Sequence, residues 1–492
     1  MDEYISLEHN NELPSTHITD ESESRSRIYS KTGSEIAEDR YVLEEDWELH
    51  RKHIFVLSSS GKPIYSRYGD EQELVTTFGL LQAVISMVQD SGDELVCIKA
   101  GNRKFVYYIK ESLYFICISS TDEPESILKL QLEFMYKQIL LILTAKVHDV
   151  LKNNSSKDLR DLLGLDTTRL MNAACHADLT PISISFEAAK GFVMDKDLRD
   201  EISLQLKNCV INSGAAWGVL MYEDSLVAYC TNQSINIYLH VSDILLLSHF
   251  VGNSNSLKSH DQNWVPLCLP SFNEKAFLQA YICNIRVIDL SLVLISTSSD
   301  PAMFKELHDC RVEFENQLLK PGVKERILFA KESQFNISSK YITDFGCLHF
   351  LFKAHIEGIC SQWVSSPFDF PNDTQVSRDR IFTQYQRLAL CVRLGTSSPD
   401  CSLLSQSLSH KDLSKQVTEK HSQTHIMADP PSLDHSIAYS AFDTGHLIIA
   451  VSSIDAELFV TFPNMNPPEG IEIAKSLLKS LKSFSNVMFV TI

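Results

Sequence analysis

The sequence predicts an α/β (α+β) chain of three similar domains, each an α-β-α sandwich around one five-stranded, mainly antiparallel sheet. Three observations predict it. At 492 residues the chain exceeds what one hydrophobic core organises, so two to four domains of about 100 to 150 residues are expected. With 44% hydrophobic residues those domains can bury real cores. The strand and helix signals then recur in one order, ββαβββα, three times along the chain.

The first copy opens with strands over His53 to Ser58 and Pro63 to Tyr68, joined by the turn Ser58-Ser59-Ser60-Gly61. Gly69-Asp70 leads into a helix over Gln72 to Gln89. The strands "ELVCIKA", "KFVYYIK" and "LYFICIS" follow, separated by Gly101-Asn102 and Glu111-Ser112. A helix from Pro124 to Ala145 closes the unit, with Pro124 where a first helical turn tolerates it.

After a helical connector over residues 147–178 the order repeats. "AWGVLMY" and "LVAYCTN" precede the apolar helix "YLHVSDILLLSHFV"; "WVPLCLP", "AFLQAYICNI" and "LSLVLIST" lead to a helix from Pro301 to Leu319. The third copy runs "LHFLFKAH", "GICSQWVS", a helix over Arg378 to Val392, "SIAYSAFDT", "HLIIAVSS", "LFVTFP" and a helix from Pro468 to Phe484. A Ser-rich stretch over residues 395–431 interrupts it, too long and polar for a compact connection, and reads as a mobile insertion. The expected domains are thus 49–178 with its connector, 179–322 and 333–492.

Residues 1–48 stand apart. They hold four Lys/Arg against fourteen Asp/Glu, a net of −10 out of −19 for the whole chain, and few apolar residues. Such a leader cannot offset its ordering entropy by burial and reads as disordered. It has neither a basic nor an apolar signal region, and no later stretch reaches the roughly 18 apolar residues of a membrane span. A cytoplasmic chain is expected. Its acidity argues against sequence-independent nucleic-acid binding, which rests on phosphate neutralisation.

Motifs for covalent chemistry are missing. No Walker loop, nucleophile elbow, H-E-x-x-H or strand-to-helix G-x-G-x-x-G occurs. Gly61-Lys62 is followed by Pro63 and reads as a hairpin turn rather than a phosphate loop. The twelve cysteines are scattered singly, as buried free thiols would be, and N-x-S/T matches such as Asn153 and Asn336 are idle in a reducing compartment. His50 and His53 have a spacing that suits a metal on a helix, but His53 starts a strand and no third ligand is near. No cofactor and no metal is expected.

The informative residues are apolar. On the first helix Leu74, Phe78, Leu81, Ile85 and Val88 form the stripe that packs on its own sheet. Leu80, Ala83, Val84 and Met87 widen the apolar arc to about 200°, more than one sheet face needs. Two occupants are open at this point: the other repeats of the chain, or a separate protein. One basic group, Lys99, Arg103, Lys104 and Lys110, lies on the hairpin of the third and fourth strands. It reads either as a charged edge that resists strand addition or as a contact for an anionic membrane or acidic protein face.

Two segments carry a resemblance. "KHIFVLSSSGKPIYSRYGDE", Lys52 to Glu71, resembles the hairpin that begins the first longin domain of the SAND/Mon family, the vacuolar and lysosomal fusion proteins. "NWVPLCLPSFN", Asn263 to Asn273, is similar to that family's second-domain signature. The likeness runs at lower fidelity from Lys52 to Ile492 and fails in the leader and the Ser-rich stretch.

The resemblance implies three longin domains and a heterodimer with a Ccz-type tri-longin subunit. It implies guanine-nucleotide exchange on a late-endosomal Rab GTPase, with recruitment by an early-endosomal Rab and a phosphoinositide membrane. Activity of that kind works by binding and needs no acid, base or nucleophile. The expected interface is Leu80, Val84 and Met87 with Tyr65, Arg67, Tyr68 and Asp70 at the hairpin exit. Ser22, Ser24 and Ser26 among the leader's acids suit a phosphorylatable inhibitory tail in this family, or an inert one. The alternative reading is a longin-type trafficking adaptor or tether without exchange activity.

Overall fold

The computed structural model describes residues 50–490 except 70–73, 155–156, 176–179, 235–236, 260–261, 335, 357–358, 369–374, 395–426, 429–435 and 442–444. The leader and nearly all of the Ser-rich stretch lie outside the described residues, as does Asp70.

The first repeat consists of β1 (Lys52–Ser58), β2 (Pro63–Ser66), α1 (Val75–Asp90), β3 (Cys97–Ala100), β4 (Arg103–Lys110), β5 (Leu113–Ser119) and α2 (Glu125–Leu143). Its sheet has the order β2-β1-β5-β4-β3, antiparallel throughout. The β1–β2 turn depends on Gly61: φ is +79°, and a Cβ there would sit 1.9 Å from the Gln82 side chain. Gln82 Nε2 donates to the Ser59 carbonyl at 2.8 Å and so ties this turn to α1.

The connector is α3 (Lys146–Asn153), α4 (Arg160–Leu163), α5 (Leu165–Ala174) and α6 (Ile182–Phe186), then β6 (Ala189–Gly191) and α7 (Lys196–Ser213). The second repeat follows as β7 (Trp217–Tyr222), β8 (Ser225–Thr231), α8 (Val241–Asn253), α9 (Asn255–Ser259), β9 (Gln262–Leu267), α10 (Pro270–Asn273), β10 (Leu278–Ile285), β11 (Leu290–Ser296) and α11 (Pro301–Leu318). Two further helices, α12 (Val323–Glu332) and α13 (Asn336–Phe345), lead to the third repeat. That repeat is β12 (His349–His355), β13 (Ser361–Ser365), α14 (Gln375–Leu394), β14 (Met427–Ala428), β15 (Ser436–Ala441), β16 (Leu447–Ser452), β17 (Ala456–Phe462), α15 (Pro467–Ser483) and α16 (Ser485–Met488).

Leaving β6 and β14 aside and numbering the strands of each repeat one to five along the chain, all three sheets have the same order, 2-1-5-4-3. The expectation of three separate five-stranded sheets needs one correction. β6 pairs in parallel with β8 on one side and with β13 on the other, so the second and third repeats share one twelve-stranded sheet. Three residues suffice because both neighbours offer an unpaired rim, and backbone groups buried at such a seam must find partners. Gly191 fits only without a side chain, since a Cβ would lie 2.7 Å from the Met488 carbonyl oxygen. β14 falls inside the stretch expected to be an insertion and pairs with β15.

The helices divide the cores. α1 covers one face of the first sheet over Phe55, Leu57, Tyr107, Tyr114 and Ile116. α2 covers the opposite face, and its apolar side chains merge with those of α5, α8 and the second sheet into one continuous core. α7 and α11 close the far face of the second sheet. α14 and α15 lie on opposite faces of the third.

Candidate protein interface

α1 buries the stripe its sequence periodicity predicts: Leu74, Phe78, Leu81 and Ile85 are in the core, with Val84 and Val88 packed at its margin. No other part of the described chain covers the outer face. Leu80 is 66% exposed and Met87 68%, while Ala83 and Ser86 are also exposed and Val84 is half-buried. At Gly79 an added Cβ would meet nothing within 4 Å. Val75, at the helix start, is 63% exposed. Among the described residues, then, the other repeats do not cover this face. Each such side chain, if buried, contributes about 1.5 to 3 kcal/mol, so this face is suited to grip a second protein.

The residues at the hairpin exit divide. Tyr65 is buried, and its hydroxyl donates to Asn172 Oδ1 at 2.7 Å, so it serves the contact with the connector and not the surface. Burial also pushes its phenol well above the usual range. Arg67 and Tyr68 remain half-exposed, with the guanidinium 5.0 Å from the Tyr68 ring. His50 stacks on that ring at 3.5 Å between centroids. His53 Nε2 contacts the His50 carbonyl at 3.1 Å, and burial lowers its imidazole to about 4, so it is neutral at pH 7.

The basic group does not hold together. Lys99 and Lys104 are directly opposite each other across β3 and β4, but Lys99 pairs with Glu125 at 2.7 Å and Lys104 Nζ donates to the Glu123 carbonyl at 2.7 Å. Arg103 is exposed at the hairpin tip. Lys110 lies six residues beyond Lys104 on β4, about 20 Å away at the strand rise, with its ammonium 5.4 Å from the Tyr108 ring. The reason is alternation and length: nearness in sequence along a strand becomes separation in space.

Two features escape the sequence. Lys52, the first residue of β1, is buried and forms an ion pair with Glu123, also buried. Its ammonium donates to Gln131 Oε1 at 3.1 Å and Thr180 Oγ1 at 3.3 Å, while Glu123 accepts from the Thr180 backbone N–H at 2.7 Å. A lysine at a strand start carries no signal of this. The second is the role of "NWVPLCLPSFN". This segment and the adjoining Glu274 dock the second repeat on the C-terminal end of α2: Cys268 N–H donates to the Leu141 carbonyl at 2.9 Å, and Ala145 N–H to the Glu274 carbonyl at 2.7 Å. Ser271 N–H donates to Asp243 Oδ1 at 3.1 Å, and Phe272 meets Trp217 edge-on at 5.0 Å.

Among the described residues no cluster of His, Cys, Asp or Glu could hold a metal. No helix among them is long and apolar enough to cross a membrane. Cys117, Cys209, Cys268 and Cys360 are pushed up to about 12 by burial, which keeps them as inert thiols.

Comparison with known proteins gives a consistent result. Residues 52–170 match the model described as the first longin domain of FUZ, MON1 and HPS1, and residues 213–315 the second longin domain of the same group. The chain is 32% identical over 379 residues to a vacuolar fusion protein MON1 homolog of Arabidopsis thaliana, covering 71% of this chain and 61% of that one. It is 29% identical over 350 residues to Protein SAND of Takifugu rubripes, with 70% and 65% covered. Against vacuolar fusion protein MON1 homolog A of Homo sapiens it is 29% identical over 346 residues, with 70% and 51% covered. The chain thus spans between half and two thirds of the length of these relatives.

Proposed function

Because the chain belongs to the MON1/SAND family of longin-domain proteins, we propose that it is a vacuolar or lysosomal fusion factor. In this reading it is one subunit of a heterodimeric guanine-nucleotide exchange factor for a late-endosomal Rab GTPase. The partner is a Ccz-type tri-longin subunit; an early-endosomal Rab and a phosphoinositide membrane recruit the pair. The working domains are residues 49–178, 179–322 and 333–492, all three of longin type. The observation that carries the reading is the uncovered apolar face of α1, within the segment that matches the first longin model.

An exchange factor works by binding the nucleotide-free GTPase more tightly than the loaded one. By reciprocity it lowers nucleotide affinity by the same factor. Side chains that supply this are those of an interface, here Leu80, Val84 and Met87 of α1, with Arg67 and Tyr68 of the hairpin exit and Asp70, outside the described residues, as further candidates. Of Lys99, Arg103, Lys104 and Lys110, Arg103 at the exposed hairpin tip is the candidate for a weaker contact to an anionic surface.

The test is release of a fluorescent nucleotide from a panel of purified Rabs by this chain with its Ccz-type partner. Acceleration for one late-endosomal Rab is expected. The double substitution Leu80→Asp/Met87→Asp is expected to cut release, or assembly of the pair, by at least about tenfold while thermal stability stays within about 0.5 kcal/mol of the parent. Release from no Rab despite an intact pair would instead make the chain an adaptor or tether.

A further inference from the structure

The face of the first sheet opposite α1 contains a cleft of about 350 Å³, between β1, β2 and α2 on one side and the connector helices α4 and α5 on the other. We infer that it is a binding site for a single hydrocarbon chain of about a dozen carbons. The inference does not depend on the exchange reading, because α1 lies on the other side of the sheet.

Val56, Ile64, Ile139, Leu163 and Met171 make the interior wall. The polar side chains among them are already satisfied within the protein: the Tyr65 hydroxyl donates to Asn172 and the Thr167 hydroxyl to the Leu163 carbonyl. Inside the mouth a ligand is therefore offered surface to cover and no side-chain hydrogen bond or charge to answer, which selects hydrocarbon over sugars, nucleotides or peptides. Size sets the length. A dry apolar cavity of about 150 Å³ accommodates one benzene, so at the same filling this cleft takes about fourteen carbons.

The mouth has a different character. Arg160 and Thr168 stand exposed at the rim, where Arg160 and Lys62 both converge on the Asp158 carboxylate at 2.8 and 3.2 Å. Two cations against one carboxylate leave one net positive charge there, but all three groups reach water and are screened by it, so a head group at the mouth contributes little. The covering helices break at Gly164, where φ is +74° and an added Cβ would meet nothing within 4 Å.

The test uses the full chain and a dansyl-labelled undecanoic acid as reporter. Saturable binding of one equivalent is expected, with displacement by 1-dodecanol and dodecanoate within about threefold of each other and an optimum at about ten to fourteen carbons. Thr168→Trp at the exposed mouth and Met171→Trp inside should each weaken binding by at least about tenfold, with folding checked by circular dichroism. Phosphatidylcholine vesicles form the second arm. Displacement of the reporter by vesicles assigns the chain to a membrane lipid, and displacement by soluble chains alone assigns it to a free amphiphile. Absence of saturable binding at any length, or equal binding by a folded Thr168→Trp variant, overturns the inference.

Discussion

At the residue scale the buried pair Lys52–Glu123 carries the sharpest energetic statement. Two charges removed from water are tolerated only because Gln131, Thr121 and Thr180 complete their hydrogen bonds. Removing one member leaves the other uncompensated, so Glu123→Leu is expected to destabilise the chain by about 3 to 5 kcal/mol, while Lys52→Met/Glu123→Leu should cost less than Glu123→Leu alone. Urea denaturation of the three proteins checks the order. His249, on α8 and facing α2, contacts Gln138 at 3.0 Å and lies edge-on to Phe134 at 5.4 Å. Burial lowers its imidazole to about 4 from an ordinary 6.5. Below pH 6.5 the unfolded chain binds a proton there that the folded chain refuses, so stability falls as the pH drops from about 6.5 to about 4. His249→Gln is expected to flatten that slope, by at most about 1.4 kcal/mol per pH unit, in denaturant titrations at several pH values.

At the element scale, what was legible in the sequence follows from how each element is specified. β1, β4 and β5 declare themselves by apolar runs between turn residues, and α1 by a period that also marks its surplus face; both are local signals. β6 is three residues, Ala189-Lys190-Gly191, with no alternation to detect, because partners far along the chain create it. α7 is different. Asp195 before it, Gly214 after it and Leu198, Ile202, Leu206 and Val210 along it are ordinary helix signals, but the helix lies outside the ββαβββα string and so goes unaccounted for in that frame. The basic hairpin misled because a one-dimensional count cannot see Glu125 or the Glu123 carbonyl nearby. The β6 seam yields a prediction of its own. Gly191→Val places a side chain against the Met488 carbonyl and Phe489 and should separate the second and third repeats, seen as two unfolding transitions by calorimetry where the parent shows fewer.

For the whole molecule, the repeats are joined by different means. The first meets the second through side chains, with α2 packed on α5 and α8, and through two backbone hydrogen bonds that fasten the Cys268–Glu274 segment to the end of α2. The second meets the third through backbone, at β6, and through Arg199, whose guanidinium is buried and donates to the Val487 carbonyl at 2.9 Å. Within the third repeat, Gln362 on β13 holds Val490 by a two-way bond, its Nε2 donating at 3.0 Å and its Oε1 accepting at 3.0 Å. A fragment ending at residue 322 would therefore lose the carbonyl that holds Arg199 and uncover a strand rim at β6. It is expected to aggregate at concentrations where the full chain stays dispersed, as light scattering would report. The three-repeat plan is readable from sequence order alone, whereas the fusion of two sheets is not, since nothing local distinguishes a rim that will be paired from one that will not.

The arrangement of β6 has a consequence for the first repeat. In the other two, the outer margin of the second strand is consumed by the shared splice. In the first, the corresponding strand β2 ends its sheet among the described residues, and its four positions start with Pro63, which has no amide hydrogen to give. The molecule thus builds the same joint three times, uses two halves of it on itself, and leaves the third shortened and blunted, a shape that discourages its own kind from docking there.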